Sequence, residues 1–259
     1  MTVVPCRNTD GVVHLLVVIL TGLGLALPFV PPVPTGTDFD YQLGGTRSVP
    51  VDVGIVVRDR KAAPVTGVHN VCYVNGFQTQ PDEKHFWRNH RGLLLKRHGR
   101  FVRDEEWGER ILDIRRPAKR KRLARIVGRW VEGCAADGFA SVEFDNLDSF
   151  SRSHGLIKRK HAKKFARLLT REAHRAGLAA GQKNWAGLNG RRLGFDFAVA
   201  EECGRYDECG DYVATYGRAV LVVEYRKRDF KKTCREYGDQ VAVVLRDRAL
   251  ARNGRRAWC

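Results

Sequence analysis

Between residues 39 and 245 the chain alternates short apolar runs rich in Val, Ile, Phe and Ala with longer polar or helix-periodic stretches, the pattern of strands interleaved with helices. Eight runs have strand length: 39–43, 51–57, 68–74, 139–144, 178–182, 195–200, 219–223 and 241–245. Helices are clearest at 116–135, where Leu123, Ile126, Val127 and Trp130 recur at helical spacing, and at 158–176. No Pro/Gly/Ser linker splits this region. The expectation is α/β: a single (β/α)8 barrel of the TIM type, over 38–259. It should be irregular at its first and last units, because the first connection is too short for a full helix and little chain follows Arg248.

Polar residues gather where the predicted strands end: Gln42, Asp59, Asn75, Asp145, Lys183, Glu202, Glu224 and Asp247. In such barrels the C-terminal face carries the chemistry. Neighbouring side chains on a strand face opposite sides, so Glu143 and Asp145 should share one side and Val142 and Phe144 the other. Asp145 then sits at the mouth, Glu143 one layer deeper, and Asp148 beyond the strand, where it holds substrate or caps the next helix. In the run that ends in Glu201 and Glu202, bulky Phe195, Phe197 and Val199 are expected to face the helices. That places Asp196, Ala198, Ala200 and Glu202 inward and leaves Glu201 at the rim or in an ion pair.

Two carboxylates converging on one cleft, with no Ser or Cys in a nucleophile's setting, suit glycosidic hydrolysis: one protonates the leaving oxygen, the other attacks carbon or activates water. Asp145 is the expected nucleophile or base and Glu202 the general acid, with the roles exchangeable. Glu143, Asn146, Asp148, Tyr73, Lys183, Asn184, Glu201, Glu224, Tyr225, Asp59 and Gln42 are the expected substrate contacts. Tyr41, Tyr73, Phe77, Trp107, Trp185, Tyr206 and Tyr225 are candidates to stack on sugar rings. No cofactor or metal is called for. A carbohydrate-binding barrel without turnover and a basic surface-adhesion protein are the rival readings.

Charge changes the picture only in part. The 259 residues carry a formal net charge of +17, with a dense run at Arg115, Arg116, Lys119, Arg120, Lys121, Arg122, Arg125 and Arg129. That run coincides with the amphipathic 116–135 segment and reads as a solvated helix face. No nucleic-acid module accompanies it, so nucleic acid is not an expected partner; an anionic cell-surface polymer is. A monomer is expected. Ahead of the barrel, residues 12–30 are almost uniformly apolar and lead into Pro28, Pro31, Pro32 and Pro34. Residues 1–37 are read as an export signal, or an uncleaved anchor, followed by a proline spacer. Without Cys6, the six remaining cysteines form an even set, as an exported protein with three disulfides requires. The Cys203 to Cys209 spacing is not that of a zinc site. Cys203 with Cys209, and Cys72 with Cys134, are the expected pairs.

The blocks FDYQLGG, CYVNGFQTQ, WGERILD, GFASVEFDNLDSF, GLAAGQKN, FDFAVAEECGRYDEC and VVEY, in this order from residue 39 onward, resemble the endo-α-1,4-polygalactosaminidases, glycoside-hydrolase family 114. The resemblance implies a secreted (β/α)8 enzyme that cuts galactosamine-rich polysaccharide internally. It places the catalytic pair on the strand ending in Asp145-Asn146 and the strand ending in Glu201-Glu202-Cys203; carried over by position, the pair is Asp145 and Glu202.

Overall fold

The computed structural model describes residues 29–259; the expected signal or anchor, and Cys6, lie almost wholly outside them. Eight parallel strands follow one another around the barrel: β1 (Asp38–Gln42), β2 (Val53–Asp59), β3 (His69–Asn75), β6 (Ser141–Asp145), β7 (Ala179–Lys183), β8 (Phe197–Glu201), β9 (Val220–Glu224) and β10 (Ala242–Arg246). β1 and β10 meet to bring the sheet round on itself. All eight expected strands are present, with every end displaced by one or two residues. This is the (β/α)8 architecture.

The helices are α2 (Pro117–Asp137), α3 (Arg159–Arg175), the short α4 (Cys203–Tyr206) and α5 (Cys209–Tyr216), and α6 (Lys227–Tyr237). α2 begins on Pro117, whose fixed φ suits a first helical turn, and stops at Gly138, which takes a left-handed φ of 99°. The first two connections carry no helix. Between β3 and α2 the chain makes a long excursion holding α1 (Lys84–Arg88) and a hairpin, β4 (Lys96–Arg97) with β5 (Arg100–Phe101). Nothing in the pattern of apolar and polar residues marks this excursion.

The closing seam holds a further strand, β11 (Arg256–Trp258), antiparallel to β10. Trp258 Nε1 donates to the Phe39 carbonyl at 2.8 Å, and Arg256 reaches the fully buried Asp40 at 2.6 Å. Arg246, itself buried, lies 3.8 Å from the same carboxylate. Gln42 shares this side of β1, giving its amide to Asp40 and receiving Arg58. Three disulfides tie the outer layer: Cys72–Cys134 joins β3 to α2, Cys203–Cys209 joins α4 to α5, and Cys234–Cys259 joins α6 to the C-terminus. The first two are the expected pairs.

The alternation expected for β8 is reversed. Phe197 and Val199 lie inside the barrel with Phe39, Tyr41, Val57, Val71, Val223 and Val244, whereas Ala198 and Ala200 face the helices. The reason lies on β7, whose register partner for Phe197 is Gly181. A Cβ at Gly181 would stand 2.5 Å from the Phe197 ring, so the glycine makes the space the ring fills. Asp196 is likewise not inside: it precedes β8, accepts the Ala180 amide and pairs with His174 at 2.7 Å.

Candidate active site

Inward-facing positions on consecutive strands build the site. Lys183, at the end of β7, is 2 % exposed and stands at its centre. Its Nζ lies 2.9 Å from Tyr41 Oη, 3.1 Å from Glu143, 3.3 Å from Glu201 and 3.6 Å from Asp145. Burial pulls its pKa down, but the field of Asp145, Glu201, Tyr41 and Glu143 outweighs that and holds the ammonium well above its ordinary value. Lys183 is therefore a fixed cation shared among three carboxylates.

Each carboxylate has its own donors. Tyr73 gives its hydroxyl to Asp145 at 2.6 Å, and the Asn146 amide adds a bond of 2.7 Å. Glu201 accepts the Tyr225 hydroxyl and, at 3.1 Å, the Asn184 side chain. Asn184 also receives the Glu201 amide, locking the tips of β7 and β8 together. Glu143, below, accepts the Tyr41 hydroxyl at 2.7 Å. Burial raises its pKa to about 7, with Asp145 adding to the rise and Lys183 opposing it. Burial likewise pushes Tyr41, Tyr73 and Tyr225 well above a phenol's usual value, keeping them protonated and able to donate.

Through Lys183, the facing oxygens of Asp145 and Glu201 can be no further apart than the sum of their distances to Nζ, about 6.9 Å. Two carboxylates at this spacing can address one glycosidic bond. The turns that follow these strands are strained. Asn146, Asn184 and Glu202, each the first residue after its strand, take left-handed φ values of 63°, 51° and 55°. Such backbone costs free energy at non-glycine residues and concentrates at functional sites.

Glu202 turns away from this cluster. Its two oxygens are held by Arg205 at 2.7 Å and Arg248 at 3.0 Å, and Arg248 continues across the mouth to Glu106. Among the other expected contacts, Asn146 bonds Asn75 and Arg152 at the rim, and Asp148 is taken by Arg152 in a bidentate pair. Asp59 accepts Gln80 at 2.8 Å. Gln42 belongs to the seam, outside the barrel. Glu224 also lies outside, with Val220 and Val222, accepting the Gly204 amide at 2.7 Å and the Thr233 hydroxyl. Gln42 and Glu224 therefore do not join the Lys183 cluster.

Of the aromatic candidates, Tyr41 and Phe77 are fully buried and offer no open face; Trp107 and Tyr206 are the exposed ones. The sequence reading missed Glu109, from the β3–α2 excursion. It accepts Asn75 Nδ2 at 2.8 Å, and Asn75 is the register partner of Asp145. Burial lifts its pKa to about 7, Asn75 opposing and Asp145 adding. With no periodic pattern around it, only its place in the WGERILD block marked it. Cys203 and Cys209 lie near Glu224, but their disulfide leaves no thiolate for a metal.

The profile of glycoside-hydrolase family GH114 matches residues 26–259. No curated protein matches the sequence. Among solved structures, Aspergillus fumigatus Ega3 in complex with galactosamine superposes with a TM-score of 0.70 at 18 % identity, covering 90 % of this chain and 98 % of that one. The glycoside hydrolase domain of PelA from Pseudomonas aeruginosa gives 0.58 at 15 % identity, covering 86 % and 98 %. A variant of that same domain gives 0.59 at 15 % identity, covering 84 % and 97 %. At these identities the likeness is one of fold.

Proposed function

We infer that this chain, which belongs to glycoside-hydrolase family GH114, cleaves galactosamine-containing polysaccharide at internal α-1,4 linkages. The observation that carries this reading is the Asp145–Lys183–Glu201 arrangement at the barrel mouth. Asp145, pinned by Tyr73 and its neighbouring amide, supplies the carboxylate at the anomeric carbon. Glu201 supplies the proton to the leaving oxygen. In this assignment Glu201 takes the acid role expected of Glu202, because Glu201 shares Lys183 with Asp145 while Glu202 is occupied by two arginines. Glu143 and Tyr41 hold Lys183 from below. The galactosamine bound in the Ega3 structure supports an amino sugar as substrate.

The amino-sugar reading must accommodate the basic balance of the protein. The acids line the mouth, whereas Arg122, Arg125, Arg129, Lys163, Lys164 and Arg167 stand exposed on the outer faces of α2 and α3. Screening over about 8 Å at physiological salt separates the two fields. Those helix faces would hold an anionic surface polymer while the mouth takes a cationic glycan. Secretion is part of the proposal: three disulfides suit an oxidising compartment. Among the described residues no helix is long and apolar enough to cross a membrane.

The test is to incubate the purified chain with partly deacetylated α-1,4-polygalactosamine and measure new reducing ends. Release of oligomers supports the reading. Binding without release, unchanged in Asp145→Asn and Glu201→Gln, would mark a carbohydrate-binding barrel instead. Proton NMR of the first anomer released decides between retention and inversion.

A further inference from the structure

Beside the mouth, the β3–α2 excursion encloses a hollow of about 330 Å³ whose lining includes Gln80, Lys84, Trp87, Arg103, Trp107 and Arg110. That volume lies at the lower end of the range for small-molecule sites, about 300–1,000 Å³, and suits one sugar unit. The hollow is next to the mouth on two counts. Gln80 bonds Asp59 at the tip of β2, and Glu109, between lining residues Gly108 and Arg110, bonds Asn75 alongside Asp145.

The chemistry of the hollow is opposite to that of the mouth. Trp107 is 55 % exposed, a large apolar ring face left open to water, while Trp87, also in the lining, is buried with its Nε1 committed to Glu83. Lys84 and Arg103 are exposed, and Arg110 stacks on Phe101. Of the six acids between residues 82 and 109, five are engaged elsewhere. Asp82 pairs with Lys61, Glu83 with Arg60, Asp104 with Arg152, Glu106 with Arg248, and Glu109 bonds Asn75. The sixth, Glu105, is exposed; burial first, and then neighbouring Arg103 and Arg91, pushes the Arg110 pKa down.

We propose that this hollow is a second saccharide site, one that takes a uronic acid: Trp107 covers the sugar ring and Arg103, Arg110 and Lys84 meet its carboxylate. Guanidinium forks match a carboxylate's two oxygens, and a ring face beside them recognises a pyranose rather than a bare anion. A hexosaminium is repelled by the same three cations. The protein thus presents an amine-accepting mouth and, beside it, a carboxylate-accepting hollow, so it can hold an acidic glycan while an amino-sugar chain occupies the mouth. The hollow does not depend on turnover, and Asp145→Asn binds as the wild type does.

The test titrates the full chain, in wild-type and Asp145→Asn form, with tetragalacturonate, with a galactosamine tetramer and with an N-acetylgalactosamine tetramer. Binding is read by calorimetry and tryptophan fluorescence. Saturable tetragalacturonate binding that quenches fluorescence is expected, at least tenfold weaker in Trp107→Ala and in Arg103→Gln/Arg110→Gln. Trp107 and Arg103 are exposed and Arg110 is half-buried; circular dichroism verifies that each variant keeps the fold. The proposal is overturned by absence of saturable binding. It is equally overturned if binding survives those changes and disappears in Lys163→Gln/Lys164→Gln/Arg167→Gln, which would assign the acidic glycan to the outer helix face. Competition at the hollow by the galactosamine tetramer as strongly as by tetragalacturonate overturns it as well.

Discussion

Glu201 and Glu202 are neighbours in sequence and opposites in setting. Glu201 is the last residue of β8; its side chain enters the barrel and is held by Lys183, Asn184 and Tyr225. Glu202 begins the turn into α4 with a left-handed backbone and is held by Arg205 and Arg248. Both are carboxylates at the mouth, and each has cationic company. What separates them is shared company: Lys183 also serves Asp145 and Glu143, whereas nothing that holds Glu202 touches those acids. A catalytic pair is defined by what its members share, more than by how near each lies to the end of a strand.

Removing one member of the pair should produce the largest effect. Asp145→Asn and Glu201→Gln are each expected to lower kcat by about 1,000-fold or more with the fold retained, measured as reducing ends released from the polymer. Retention of full activity by either variant breaks the assignment.

Lys183→Met comes next, at about 100-fold, an order-of-magnitude figure for an electrostatic contact in a buried site. It leaves three carboxylates without their shared cation. Losing a cation raises neighbouring carboxylate pKa values, so the acid limb of the pH–rate profile should move to higher pH. An unmoved profile would mean that Lys183 only packs.

Glu202→Gln should stay within about tenfold of wild type: the carboxylate is buried, but the arginines that hold it are partly exposed and neither serves an acid of the Lys183 cluster. A loss equal to that of Glu201→Gln would erase the contrast between the two residues.

The smallest effect on turnover is expected at Glu224, which matches Glu143 in burial but lies on the other side of the sheet. Its pKa rises to about 7 through burial, with Gly204 and Thr233 opposing. The folded state therefore holds a proton that the unfolded state, titrating near the ordinary glutamate value, has released. Its contribution is present below the unfolded pKa and is lost as pH climbs toward 7, by up to about 3 kcal/mol. Glu224→Gln should leave kcat unchanged and flatten the fall of Tm between pH 5 and 7. A Tm slope identical to wild type would show that Glu224 ionises as it would in water.

Much of the fold was legible because strand length and alternating composition mark buried parallel strands directly, and the two long helices carry the matching period. The inward direction of Glu143 and Asp145 followed from Val142 and Phe144 on the other side. For β8 the same argument reversed, because it assumed that bulky residues face helices. Phe197 enters the barrel only because Gly181 on the adjacent strand vacates the space, and Ala198 and Ala200 let the outer layer come close. The run Ala179-Ala180-Gly181 was visible in the sequence, but its meaning depends on knowing which strand lies beside it. The seam around Asp40 was hidden for a similar reason. Its partners Arg246 and Arg256 are about two hundred residues away in the chain, so no local pattern ties them to Asp40. Glu109 sits in an excursion without periodicity, so no pattern aimed it at Asn75.

The central claim, that Glu201 and not Glu202 delivers the proton while Asp145 meets the anomeric carbon, has a direct test in leaving-group dependence. A substrate whose leaving group needs no protonation forgives loss of the general acid but not of the carboxylate at carbon. Turnover of a 2,4-dinitrophenyl galactosaminide and of the polymer should be measured side by side for Asp145→Asn, Glu201→Gln and Glu202→Gln. The account predicts that Glu201→Gln fails on the polymer yet keeps activity within about tenfold of wild type on the aryl glycoside. Asp145→Asn should fail on both, and Glu202→Gln should work on both. Rescue of Glu202→Gln by the activated substrate, with Glu201→Gln active on the polymer, would contradict it.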